Sequence, residues 1–166
     1  EIDRLNTSVR FRNPMILYRN TGNGTFQDVS SRAGAALRDV HSARGAAFGD
    51  IDNDGLIEVL VNNKNERPTL LKQTTRPAGH WIHLKLSGTR SNRSGIGARV
   101  RVVVEGREQI DEVRSGGSYL SQNDLRLHFG VGAAKFIDRI EVTWPSGANS
   151  HLEHIAVDRI VAIEER

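Results

Sequence analysis

Nine residues, Asp50-Ile51-Asp52-Asn53-Asp54-Gly55-Leu56-Ile57-Glu58, restrict this chain more than any other feature. Three aspartates alternate with other residues, a glycine follows, and a fourth carboxylate closes the run. Carboxylates gathered this closely repel one another unless a cation lies among them. Hard cations such as Ca²⁺ collect about six to eight oxygens from carboxylates, carbonyls and water. The spacing predicts a Ca²⁺ loop with Asp50, Asp52 and Asp54 as side-chain ligands, Leu56 as a carbonyl ligand and Glu58 as the closing carboxylate. Gly55 permits the sharp turn that curls the chain around an ion. A metal-free acidic β-turn is the competing reading, because Asp and Gly are common turn residues.

The flanks decide what kind of loop this is. An EF-hand needs a Glu at loop position 12 and a helix on each side. Counted from Asp50, position 12 is Val61, and the closing carboxylate falls at position 9. Ala46-Ala47-Phe48-Gly49 is short and ends in Gly, while Ile57-Glu58-Val59-Leu60-Val61 is rich in the β-branched residues of a strand. The loop therefore joins two strands.

The rest of the chain agrees, since almost every periodic segment has a period of two. Met15 to Arg19, a strand after the Asn20–Phe26 turn, Ala43 to Phe48, Ile57 to Val61 and Thr69 to Lys72 read as strands in the first half. Ser30 to Ala36 has room for one helical turn. Thr74-Thr75-Arg76-Pro77-Ala78-Gly79 reads as a boundary, which divides the chain into 1–76 and 77–166. Beyond it, Trp81–Ser87, Ala98–Glu105, Arg107–Arg114, Leu125–Phe129, Arg139–Trp144 and Ile155–Glu164 read as strands. Ile140, Val142 and Trp144 share one face, the pattern of an antiparallel sandwich or barrel.

Composition narrows the chemistry. The 166 residues contain no Cys, so thiol, disulfide and zinc-thiolate chemistry are excluded. No apolar run approaches the roughly 20 residues of a membrane span. The net charge is +3, and Arg90, Arg93, Arg99, Arg101, Arg107 and Arg114 crowd one region. Arg99 and Arg101 alternate with Val100 and Val102, as on a solvated strand face. No aromatics interleave with them, and no nucleic-acid partner is expected. Gly95-Ile96-Gly97 lacks the third glycine and the following helix of a dinucleotide loop, and reads as a turn entering a strand. His80 and His83 face opposite ways on a strand. Ser121 and His128 invite a hydrolytic trio, but triads are recognised by geometry. No self-contained active site is expected, so the chain is read as non-enzymatic. Tyr119, in a Gly-rich loop, is the contact residue favoured for a ligand.

Two stretches resemble known families. Leu17-Tyr18-Arg19-Asn20-Thr21-Gly22-Asn23-Gly24-Thr25-Phe26, with the acidic loop after it, resembles the FG-GAP/VCBS repeat that builds blades of integrin-like β-propellers. The repeat's loop is D-x-D-x-D-G-x-x-D; Asp50, Asp52, Asp54 and Gly55 match it, and Glu58 replaces the last Asp. Gly95–Val100, Gly116–Gln122, Leu127–Gly132 and Val142–Gly147 resemble the ASPIC/UnbV domain of cartilage acidic protein-like and bacterial exported proteins. The resemblance implies Ca²⁺ between blade strands. It also implies an all-β fold: a partial β-propeller-type blade with a Ca²⁺-binding loop, then a C-terminal antiparallel β-sandwich or barrel.

A propeller closes with about four to eight blades, and this chain holds one blade's worth of repeat. The expectation is that the chain is the C-terminal part of a longer protein, or that the blade packs on the second domain or on another subunit. The functional expectation is a secreted, cell-surface or periplasmic adhesion or scaffold module. Its partner would be a protein or a further copy of itself, and the ion a static clamp. The alternatives are carbohydrate binding through Tyr119 and the arginines, and an accessory non-catalytic role in an enzyme complex.

Overall fold

The structure, a computed structural model, describes residues 10–75 and 78–166. Arg76 and Pro77, where the sequence places its boundary, lie outside the described residues. The architecture is all-β, with several sheets and no closed barrel among the described residues.

The first half contains β1 (Asn13–Pro14), β2 (Tyr18–Asn20), β3 (Phe26–Asp28), β4 (Val40–His41), β5 (Ala43–Gly49), β6 (Glu58–Asn63) and β7 (Thr69–Leu71). The helical turn expected over Ser30–Ala36 is two 3₁₀ turns, Ser30–Arg32 and Ala35–Arg38. β2 and β3 form the hairpin that the Gly/Asn run predicts, and β1 pairs with β4. β5, β6 and β7 make an antiparallel sheet in that order. Its register sets Gly49 opposite Glu58, so the acidic loop is the β5–β6 connection.

This blade is lightly buried. Ile16, Leu17, Tyr18, Phe26, Val40, Leu60 and Leu70 are all exposed, and Leu60 faces Leu70 across β6 and β7. One sheet edge is covered from within the chain. Phe48 N–H donates to Asn123 Oδ1 at 3.1 Å, and Asp124 N–H donates to Phe48 O at 2.9 Å. The segment 118–124 of the second half thus lies along edge strand β5. The first half packs against the second half along this edge.

The second half contains β8 (His80–Ser87), β9 (Arg99–Val104), β10 (Arg107–Glu112), β11 (Leu127–Gly132), β12 (Phe136–Thr143), β13 (Asn149–Ala156) and β14 (Arg159–Glu164). Its two sheets run β10-β9-β12-β13 and β11-β8-β14. Ile82, Leu84 and Leu86 of β8, Val100 and Val102 of β9, Phe129 of β11, Ile140 and Val142 of β12, and Trp144 fill the space between them. The Ile140–Val142–Trp144 face is buried as its alternation predicts, and Trp144 Nε1–H donates to Ser150 Oγ at 2.9 Å. Arg101 pairs with Glu108 and Glu141, and Arg139 pairs with Glu141, so part of the arginine face is an ion-pair ladder.

Two details differ from the sequence reading. Ile155–Glu164 is not one strand. It splits between β13 and β14 at Val157-Asp158, where Asp158 has a φ of 57° and its N–H donates to Trp81 O at 2.7 Å. That bond, with His80 Nδ1 to Asp158 Oδ2 at 2.6 Å, turns the chain off one sheet onto the other. β14 then runs parallel to β8, whereas the other strand pairs of the sandwich are antiparallel. Parallel neighbours need a long crossover and leave no hairpin signature in the sequence.

β8 explains how the halves meet. Ile82, His83 and Leu84 are all buried, although alternation puts His83 on the opposite face from the other two. Ile82 and Leu84 enter the core. His83 points to the other face of the sheet, where the acidic loop covers it.

Candidate metal centre

The loop closes on its own backbone. Asp54 N–H donates to Asp50 Oδ1 at 3.1 Å, and Gly55 N–H donates to Asp50 Oδ2 at 2.8 Å. Leu56 N–H donates to Asp54 Oδ1 at 2.9 Å, and Ile51 N–H donates to Glu58 Oε2 at 2.9 Å. Aspartate side chains that accept from the following backbone are what bend such a segment into a turn.

Three carboxylates converge. One oxygen each from Asp50, Asp52 and Glu58 lies within 4.8 Å of the others. Asp50 and Glu58 are each 2% exposed, whereas Asp52 is open to solvent. Glu58 Oε1 is buried and accepts no hydrogen bond. A buried carboxylate oxygen left in that condition is costly, and a cation would relieve it. Of the other two predicted ligands, Asp54 stays in the loop with its Oδ1 turned to Leu56 N–H, and Leu56 is buried at the base. The three converging residues fit a hard divalent cation, and the chemistry of the donor set is all oxygen.

Residues from the second half hold the loop from below. Arg126 donates to Asp50 O at 2.7 Å and to Asn53 Oδ1 at 2.5 Å, while pairing with Asp124. Burial pushes the Asp124 carboxyl up, but its bonds from Arg126 win and leave it below the ordinary range. His83 Nε2 lies 3.6 Å from Asp50 Oδ2 and 2.7 Å from His128 Nδ1. Burial pushes both imidazoles down, His128 to about 4, so both rings are neutral near pH 7. Trp81 stands edge-on to His83 at 5.0 Å and covers Gly55. A Cβ on Gly55 would lie 2.0 Å from Trp81 Nε1.

Sequence reasoning misses Lys72, Arg126, Trp81 and His83 as parts of this centre. Lys72 has a signal: extending the β6–β7 register by one residue puts it opposite Glu58. The other three sit on or beside strands distant in sequence, and no local pattern marks them. Ser121 and His128 are engaged apart from each other, with Ser121 Oγ–H donating to Tyr119 O at 3.1 Å and His128 paired with His83.

An all-β chain with an acidic strand–loop–strand unit docked on a β-sandwich defines a two-part, β-rich module. Comparison with family models agrees in both parts: residues 7–61 match the FG-GAP-like repeat, and residues 88–166 match ASPIC and UnbV. The two matches follow one another along the chain, an FG-GAP-like repeat and then ASPIC and UnbV, in the order that the sequence motifs give. No curated protein matches it.

Proposed function

We propose that this chain is an extracellular, non-catalytic calcium-binding module that serves adhesion or scaffolding. Asp50, Asp52 and Glu58 would hold Ca²⁺, with Asp54 and the Leu56 carbonyl completing the protein's share of the ligands. The observation that carries the reading is Glu58 Oε1, a buried carboxylate oxygen with no hydrogen-bond donor, set beside two other carboxylates. The ion's role is mechanical. It ties β5 to β6 and stiffens the loop that Arg126 and Trp81 grip. The apolar side chains exposed on the blade, Leu60 and Leu70 among them, support a protein partner or a further copy as what the module meets. Tyr119, 71% exposed at the tip of the segment that covers β5, is a contact residue in the same reading.

Extracellular Ca²⁺ modules bind at about 10⁻⁴–10⁻³ M. At ~10 mM Ca²⁺ such a site would add about 1.4–2.7 kcal/mol of stability. The expected shift in melting temperature between calcium and chelator is about 3–8 °C for a chain of this size. Asp52→Ala should abolish that shift while leaving the melting point in chelator within about 2 °C of the parent, because Asp52 is exposed. Differential scanning calorimetry reads both quantities. Equal melting points with and without chelator in the parent chain would end the calcium reading.

A further inference from the structure

The carboxylates of the loop already have a cation of the chain's own. The β6–β7 ladder pairs Val59 with Leu71, Leu60 with Leu70 and Val61 with Thr69. One further step puts Lys72 opposite Glu58, and opposed residues of neighbouring strands share a face. Lys72 Nζ rests on Asp52 Oδ2 and lies 4.0 Å from Glu58 Oε1. These are two of the three residues whose oxygens converge, and the second oxygen is the buried one without a hydrogen bond. An ammonium at that place and a divalent cation among the same oxygens repel each other, so both cannot keep their full set of contacts. Lys72 is about half exposed and has a flexible four-carbon stem, so it can swing into solvent when displaced.

We infer that Lys72 is a built-in counter-cation that competes with calcium for Asp52 and Glu58 and weakens the loop's affinity for the ion. The inference rests on the calcium reading above. A lysine here has two effects. It screens the mutual repulsion of the carboxylates at low calcium, and it raises the concentration needed to fill the loop. A purely structural ion pair would have only the first.

The test is calorimetric titration of the full chain with Ca²⁺ alone, together with melting curves in chelator and in calcium. Lys72→Gln and Lys72→Met are compared with Lys72→Arg and with Lys135→Met. The last removes the same charge from the exposed turn before β12. The neutral variants at position 72 are expected to bind calcium roughly two- to five-fold more tightly than the parent, in the range of an exposed ion pair. Lys72→Arg and Lys135→Met should stay within about two-fold. In chelator the neutral variants should melt below the parent, and their calcium-induced rise should exceed the parent's. If Lys72→Gln and Lys72→Met bind calcium no better than Lys135→Met, the competition is refuted while the calcium site stands. If neither the parent nor any variant binds calcium, the site itself is refuted and the competition with it.

Discussion

Gly55→Ala is expected to lower stability by about 2–5 kcal/mol, the largest effect of any single methyl added to the acidic loop. Two costs combine. Gly55 has a φ of 87°, in the left-handed region, where an L side chain costs about 1–2 kcal/mol. The new Cβ would also lie 2.0 Å from Trp81 Nε1 and 2.1 Å from Trp81 Cε2, well inside contact distance. Trp81 belongs to β8, the central strand of its sheet, so the backbone that carries the indole is held on both sides. Overpacking of this kind costs about 1–3 kcal/mol. Gly24→Ala separates the two costs, because Gly24 has a φ of 81° and a Cβ added there would meet nothing within 4 Å. It should lose about 1–2 kcal/mol from backbone strain alone. Thermal unfolding followed by Trp fluorescence checks the pair. Gly55→Ala should melt several degrees below Gly24→Ala, with a changed native emission as the indole is displaced. Equal melting points would mean that the loop does not rest on Trp81.

That contact marks what the sequence could convey and what it could not. The loop was legible because its information is local: Asp at alternate positions, Gly at the turn and β-branched flanks specify a strand–loop–strand unit within about fifteen residues. The alternating faces of β9 and β12 were legible for the same reason. The docking of the loop was not. His83 and Trp81 read as two positions of one alternating strand, and nothing nearby indicates that their face meets Asp50 and Gly55. The break between β13 and β14 carries no Gly or Pro. Asp158 makes it by taking a positive φ and bonding Trp81 and His80, residues of a strand far back in the chain. Asp tolerates that conformation better than most residues, but an isolated Asp among strand formers is too common to be a signal. Nor does sequence reveal that β14 lies parallel to β8, since the choice is made by packing across the sandwich.

Glu165 is the other residue that local reading passes over, and its replacement should have the second large effect. In the run Ile163-Glu164-Glu165-Arg166 it looks like a solvated terminal acid, yet it is buried. Its Oε2 accepts from the backbone N–H groups of Thr89, Arg90 and Ser91 at 2.9, 2.9 and 2.6 Å. Its Oε1 accepts from Ser91 Oγ–H at 2.8 Å and from Ser146 Oγ–H. One carboxylate thus ties the end of β14 to the β8–β9 loop and to the turn between β12 and β13, which belongs to the other sheet. Burial alone would raise its pKa, but the bonds from Ser146, Ser91 and Arg90 outweigh it and bring the group to about 2. The folded value lies below the ordinary 4.5, so ionised Glu165 adds stability that is fully present above pH 4.5. That stability is lost as the pH falls towards about 2. Glu165→Ala leaves three backbone donors without their acceptor and should lower the melting temperature by about 5 °C or more at pH 7. Glu165→Gln keeps the shape and one acceptor oxygen but loses the charge, so its deficit should be smaller and should shrink as the pH falls. Melting curves of the parent and Glu165→Gln that run parallel from pH 7 to pH 3 would show that the charge does not clamp the sandwich. Convergence of the two curves towards the acid end would show that one buried carboxylate staples the two sheets.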